Sequence, residues 1–404
     1  MKRILLVILC SLLVLPTAGC WSKRELEQLA VVTLAGYDKE TVNGHDRFRV
    51  TARVLKPSGN RGSTETKGSS TEVLLTGTGD TIQETAREVT LRTPRRPYFG
   101  QLAAIIVGEN LARQGVGQII ELLGRWPEIG LRTKILVAKG DAYDVLNSAP
   151  EIEPTLSQEI AEMADAKNVK LGISCGVDLN QFFQALMSDD IAPVAGSIEC
   201  ACSSGESSAG ANGSAGANNL PGQTDQRVNM QGMAIFHKDK LAGTISPQET
   251  TGYLLLRNKF QNSETPITFR ADKQKFFTYL LRNSKCDIIP EINDGSVHFR
   301  VNIETQGDLD EVSEVNVTPE SLQMLENQAA ERVKAIVERT IAKAQSLDSD
   351  FIGFAYRLHR RDPAAWAEWK SQWDEMFPDV TYDVSVSSTI SNVGKMSKNI
   401  ILNY

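Results

Sequence analysis

Four histidines, six cysteines and fifty carboxylates are the groups in this 404-residue chain from which chemistry could be built. His45, His237, His298 and His359 stand far apart. None falls in an H-E-x-x-H arrangement, the spacing that puts two zinc ligands on one helix face. Cys200-Ala-Cys202 lacks the neighbouring histidine or further cysteine that a tetrahedral zinc site needs. Besides Cys10 and Cys20, the chain has Cys175, Cys200, Cys202 and Cys286, too few for a disulfide framework in a chain this long. They read as structural or incidental thiols. There is no G-x-S-x-G elbow, no P-loop and no G-x-G-x-x-G after a strand. Gly77-Thr78-Gly79-Asp80 is a glycine-rich turn into a helix, and helix-start amides can hold an anion, but such turns are mostly only turns. The sequence therefore points to no catalytic residue, no metal and no cofactor, and the chain reads as a non-enzyme.

Three other features could carry function. Arg92, Arg95 and Arg96, in "RTPRRPYFGQ", form the sharpest basic cluster, and they could meet a partner loop or lipid headgroups. The bland alternative is a solvated loop paired with acidic neighbours. Trp366, Trp369 and Trp373 lie three and four residues apart and so share one helix face. That is core packing in most proteins, with a subunit-docking face as the rival, since tryptophan concentrates at interaction hot spots. The third feature is Cys20. Lys2 and Arg3 precede an apolar run from Ile4 to Leu15, and Pro16-Thr17-Ala18-Gly19 leads into the cysteine. A spanning helix needs about 20 apolar residues, whereas an export signal has about 7–15. The run is an export signal, occupying residues 1–19. Ala18-Gly19-Cys20 is similar to a bacterial lipoprotein cleavage site, where the cysteine takes a diacylglycerol and becomes the first mature residue. Thr17 departs from the leucine that is usual there. Acyl chains, at about 0.8 kcal/mol per buried CH₂, would hold the mature protein on a membrane.

Net charge is −7, and −9 once Lys2 and Arg3 leave. That argues against nucleic acid, which needs a basic face, and against broad electrostatic adhesion to anionic lipid. The length allows two or three domains.

The elements that must position these groups follow from periodicity. "LEQLAVVTLAGYD" reads as a buried strand. "RFRVTARVL" alternates, with Phe48, Val50, Ala52 and Val54 inward and Arg47, Arg49, Thr51 and Arg53 on the other face, as in a half-buried strand. "EVLLTGTG" is a third strand, Asp80 caps the helix after it, and "ENLARQGVGQIIELLGRW" reads as one amphipathic helix. "QLAAIIVG" and "LRTKILVAKG" are further strands. Residues 20–148 then form an N-terminal mixed α/β domain. Pro150 and Pro154 mark a joint to a middle domain, 149–260. Within it, 203–227 is rich in Gly, Ser, Ala and Asn, cannot recover its ordering entropy by burial, and is expected to be disordered. It reads as an insertion in a hairpin loop between "IAPVAGSIECA" and "VNMQGMAIFH", a linker being the alternative. Pro247 starts a helix after Ser246. Residues 261–404 form a C-terminal α+β domain with long strands, an Asp294-Gly295 hairpin turn, and a long helix over 319–346. Its stripe is Leu322, Leu325, Val333, Ile336, Val337 and Ile341. The fold class is α+β, in the sense of mixed α/β domains, each a sheet packed with helices.

Five stretches in this order carry a resemblance. They are "CWSKRELEQLAVV", "GQLAAIIVGENLARQGVGQIIELLGRWPEI", "QGMAIFHKDKLAGTISPQETTGYLLLR", "FIGFAYRLHRRDPAAWAEW" and "DVSVSSTISNVGK". Together the chain resembles the Ger(x)C family, the lipoprotein C subunit of bacterial spore germinant receptors. The resemblance spans essentially the whole mature chain, and 203–227 looks like an insertion outside the family pattern. It implies three mixed α/β domains and a palmitate-bearing lipoprotein on the outer face of the spore's inner membrane. It also implies partnership with a multi-spanning A subunit and a transporter-like B subunit, together triggering germination in response to nutrients. A solute-binding lipoprotein that feeds a transporter is the alternative function, and it would need a deep cleft between domains.

Overall fold

Strand alternation and proline-started helices shape most of the chain. The computed structural model describes residues 28–42, 44–56, 71–167, 171–202, 226–260, 263–270, 276–293, 295–312 and 318–393. Cys20 and most of the 203–227 tract lie outside these residues.

Ten strands form one large sheet: β1 (Leu29–Val42), β2 (His45–Leu55), β3 (Glu72–Gly79), β4 (Arg96–Tyr98), β5 (Ala104–Gly108), β6 (Lys134–Lys139), β7 (Val177–Asp178), β8 (Val194–Cys202), β9 (Gln226–His237) and β10 (Lys240–Ile245). Their order is β10-β9-β8-β6-β5-β1-β2-β3, with β4 on β1 and β7 on β6. The central pairs β1–β5, β5–β6 and β6–β8 are parallel. Central parallel strands are covered on both faces and read as near-continuous apolar runs. Ile105, Ile106 and Val107 of β5 are accordingly inaccessible to solvent. Four strands form a second sheet: β11 (Thr265–Arg270), β12 (Phe276–Asn293), β13 (Ser296–Val312) and β14 (Thr381–Asn392). Asn293 pairs with Ser296 and Gly295 has φ +81°, the two-residue hairpin expected there. β14 runs parallel to β13, a pairing that requires the long helical crossover between them.

Helices cover both faces of the large sheet. On one side lie α1 (Ile82–Leu91), α2 (Glu109–Gln114) and α3 (Gly117–Arg125); on the other lie α4 (Ala142–Asn147) and α5 (Leu156–Glu162). Helix α6 (Leu179–Leu186) and α7 (Pro247–Leu256) lead toward the second sheet. Helix α8 (Pro319–Ser346) starts in a capping box on Thr318 with Pro319 in its first turn. Leu325, Val333, Ile336, Val337 and Ile341 are buried along one stripe, as the spacing requires. Three short helices, α9 (Phe354–Arg361), α10 (Pro363–Trp369) and α11 (Trp373–Met376), complete the chain's second half.

Several local expectations are corrected. The stretch 109–126 is two helices, because Gly115 sits at φ +132°, a conformation closed to other residues. The cap of α1 is Thr81, whose hydroxyl accepts from the Glu84 amide; Asp80 lies one residue too early. Gln226 and Arg227 are part of β9. Cys202 pairs with Gln226 across an antiparallel ladder, so residues 203–225 join two neighbouring strands of one sheet. The boundary placed at 148/149 falls inside the large sheet, since β8 hydrogen-bonds to β6. The boundary at 260/261 coincides with the change of sheet.

The polar face of β2 is also corrected. Thr51 and Arg53 are buried, because α4 and the start of α5 cover the face that alternation assigns to solvent. Arg53 donates from Nε to Leu146 O at 2.6 Å and from Nη2 to Ser148 O, and its Nη1 pairs with Glu72 at 3.3 Å. Glu72 also accepts from Thr33 Oγ1 and Ser157 Oγ, each at 2.8 Å, and from the Leu156 amide at 3.2 Å. A buried charge is tolerable only when paired and hydrogen-bonded, and this network meets that condition.

Candidate functional site

Two regions gather charge. The first is a cleft of about 560 Å³ where the large sheet meets the chain's second half, lined among others by Asp189, Asp190, His237, Lys238, Lys370 and Asp374. Its floor is set by Asp350. This buried carboxylate accepts from the amides of Gly353, Phe354 and Ala355 at 2.8, 2.9 and 2.7 Å, and from Trp373 Nε1 at 3.2 Å. Burial pushes its pKa up, and the four donors oppose the shift. Its role follows from those donors: it satisfies the orphan amides at the start of α9 and ties that helix to Trp373.

The cleft walls are laced across. Lys370 Nζ lies 2.5 Å from Asp189, and His359 Nδ1 lies 2.7 Å from Asp190. Lys238 reaches Asp374 at 3.1 Å. His237 Nδ1 meets Asp348 O at 2.7 Å, and Ser349 Oγ donates to Phe236 O at 2.7 Å. Two histidines 122 residues apart in sequence thus converge on one seam. Sequence spacing alone carried no sign of it. Each of these two is engaged by a carboxylate or a carbonyl, so neither stands beside a nucleophile as a general base would. Exposed pairs of this kind contribute about 0–1 kcal/mol each. Their chemistry is that of a clasp between two walls.

The second region is the arginine cluster. Arg92 caps the end of α1 and pairs with Glu88 at 2.9 Å; Arg96 opens β4 and pairs with Glu128 at 2.9 Å. Arg96 sits where β1 begins, since it pairs with Leu29, and Arg92 and Arg95 precede it in the connection from α1.

The other candidates resolve as architecture. At the Gly77–Asp80 turn, the Thr78 amide donates to Glu88 at 2.6 Å and the Asp80 amide to Glu84 at 3.1 Å. The chain's own carboxylates thus occupy two amides of this turn, and the Thr81 hydroxyl takes the Glu84 amide of the first helical turn. Trp366 and Trp373 are buried, with centroids 5.7 Å apart in an edge-to-face pair. They belong to an aromatic core with Phe299, Phe354 and Phe377, and Trp369 packs against it while partly exposed. Cys175 and Cys286 are buried free thiols. Burial pushes the Cys286 thiol up to about 12, so neither is poised as a thiolate. His45 is exposed at the start of β2, and His298 bonds Thr381 and Asp383. Among the described residues, no group of three His, Cys, Asp or Glu side chains is placed to hold a metal ion.

Sequence reasoning missed Asp38. It is buried, and it accepts from the Ala142 and Tyr143 amides at 2.7 and 2.9 Å with Arg49 at 3.4 Å. Burial raises its pKa to about 6 against those donors. The only signal was a carboxylate at the end of an apolar run within β1.

Comparison with known proteins decides what this framework is. Residues 22–199 match the family model of the spore germination protein N-terminal domain, and residues 231–394 match that of the spore germination B3/GerAC-like C-terminal region. The chain belongs to the Ger(x)C family of spore germination proteins. Among its relatives, spore germination protein KC of Bacillus subtilis (strain 168) is 23% identical over 97% of this chain and 96% of its own. Spore germination protein B3 of the same organism is 25% identical over 96% of this chain and 97% of its own. The crystal structure of the GerBC protein superposes with a TM-score of 0.52 at 18% identity, covering 89% of this chain and 97% of that one. It shares the fold. The two family matches leave 200–230 uncovered, the stretch that holds the Gly/Ser/Ala/Asn-rich tract. The chain is thus a Ger(x)C subunit of the germinant-receptor type. Among the described residues no helix is long and apolar enough to cross a membrane.

Proposed function

We propose that this Ger(x)C chain is held by lipid on Cys20 at the outer face of the spore inner membrane. There it assembles with membrane-embedded A and B subunits, and it acts by protein–protein contact without catalysis. The observation that carries the reading is the family match along almost the whole chain, joined to Ala18-Gly19-Cys20 at the end of an export signal. The charged groups of the cleft are engaged in capping and pairing, which supports a scaffold rather than a reaction centre.

The test is a gene deletion. Spores lacking this chain, in a background without redundant receptors, should lose their response to particular nutrients and keep non-nutrient germination. A normal nutrient response would sink the proposal. Cys20→Ala should leave the fold intact, release the chain from the membrane and impair the nutrient response.

The cleft of about 560 Å³ favours a second reading, a solute-binding lipoprotein, because ligand pockets span about 300–1,000 Å³. Its charged walls are already paired with each other, which weighs against it. Calorimetry with nutrient panels decides: no heat across the panel removes this reading.

A further inference from the structure

We propose that the end of the large sheet where β1 begins is a face laid directly on an anionic bilayer. This rests on the lipid-anchor reading of Cys20 and adds an orientation to it. Leu29 opens β1 nine residues after Cys20. A chain spans at most about 3.3–3.6 Å per residue, so the anchor tethers this end within about 30 Å of the lipid. The groups collected there suit a membrane surface. Arg96 opens β4 beside Leu29, and Arg92 and Arg95 precede it. Arg132 is exposed just before β6, and Lys56 is exposed just after β2.

Glu88 and Glu128 offset Arg92 and Arg96. Among the described residues no carboxylate lies within ion-pair distance of Arg95, Arg132 or Lys56. In a chain of net charge −7, this local excess of cations runs against the whole. Large apolar side chains stand among them: Leu91 is 78% exposed, Leu131 55% and Leu55 38%. Leu91 ends α1 next to Arg92. Leu131 precedes Arg132 in the loop that carries Glu128 and Trp126, and Trp126 packs on Phe99 at 5.0 Å. Exposed leucines interleaved with arginines are the pattern of a surface whose apolar tips enter the headgroup region while cations meet phosphates. Each cation near an anionic surface is worth about fivefold in binding, enough to orient a protein that a lipid already holds.

The test uses the full acylated chain on vesicles. A fluorescent non-natural residue replaces Leu91, or His45 at the opposite end of the sheet, and the vesicles carry a lipid-borne nitroxide. On phosphatidylglycerol vesicles, quenching at position 91 should exceed that at 45 several-fold. It should fall to the level at 45 when Arg92, Arg95 and Arg96 are all replaced by Glu. Equal quenching at the two positions in protein that floats with vesicles would overturn the proposal. So would quenching at 91 that ignores the triple reversal or the removal of phosphatidylglycerol, and either result would leave the basic face to a protein partner. Flotation on pure phosphatidylcholine reads the anchor separately. If the protein fails to float there, the anchor reading is wrong. The face is then judged by whether added phosphatidylglycerol vesicles quench position 91 above position 45.

Discussion

Replacing Glu72 with Ala should cost about 3–5 kcal/mol, the usual consequence of removing one partner from a buried ion pair. The structure supplies the reason. Arg53 keeps two backbone carbonyls, Leu146 O and Ser148 O, but loses the only carboxylate within ion-pair distance among the described residues. Thr33 Oγ1, Ser157 Oγ and the Leu156 amide lose an acceptor at the same time. Each buried polar group left unsatisfied costs about 1–3 kcal/mol, and partial relaxation and water entry keep the sum near the range for a broken pair. Glu72→Gln keeps the volume and part of the hydrogen bonding and should fall near the lower end. Arg53→Met with Glu72→Leu should recover only part of the loss, because the pair's desolvation penalty leaves with the pair while Thr33 Oγ1, Ser157 Oγ and the Leu156 amide still lack their acceptor. Urea denaturation of the three variants beside the natural chain measures this. A Glu72→Ala cost below about 1 kcal/mol would show that Arg53 finds other partners or water, and the network would not be what joins β2 and β3 to α5.

Three further outcomes follow from the fold. Asp38 has a folded pKa of about 6 against an ordinary value of 3.8. Its contribution to stability is therefore fully present below about pH 3.8 and lost as pH rises through 6; its carboxyl carbon resonance should titrate near 6, and a midpoint near 4 would contradict the burial argument. Shortening residues 203–225 by about half should change stability by only about 0.6 kcal/mol, since the loop joins paired neighbours, and a loss of several kcal/mol would mean that it packs on the body. The division into units 20–148, 149–260 and 261–404 remains a proposal about folding, and the shared sheet predicts that 20–148 alone exposes the β6 edge and aggregates; a soluble, cooperatively unfolding fragment would favour independent units.

Local patterns were legible in the sequence where local physics decides. Pro247 and Pro319 mark helix starts because their missing amides fall where none is needed, and Asp294-Gly295 marks a hairpin because a two-residue turn needs positive φ. The pairing of β8 with β9 was visible because both ends of the insertion read as strands. Parallel pairing was not. Nothing in 134–139 or 194–202 announces that these strands lie side by side, although β8 pairs with β6 across the proposed 148/149 boundary. The burial of Arg53 was hidden for a related reason: alternation says which residues share a face, and not what covers it. Glu72 at the head of a strand was the available clue. The cleft was hidden too, because His237, His359 and Asp190 meet only through tertiary packing. Cys20 stood out in the sequence, and it remains the residue on which the functional account depends.

We propose that this chain works in nutrient-triggered spore germination through membrane assembly. The most direct measurement compares nutrient-induced loss of optical density in spores carrying the natural chain, no chain, or Cys20→Ala, with chain abundance and membrane fractionation followed in parallel. The account predicts a normal response only with the natural chain, a lost response without it, and an impaired response with a stable Cys20→Ala chain released from the membrane. An unimpaired nutrient response in spores without the chain, where no other receptor can substitute, would contradict it.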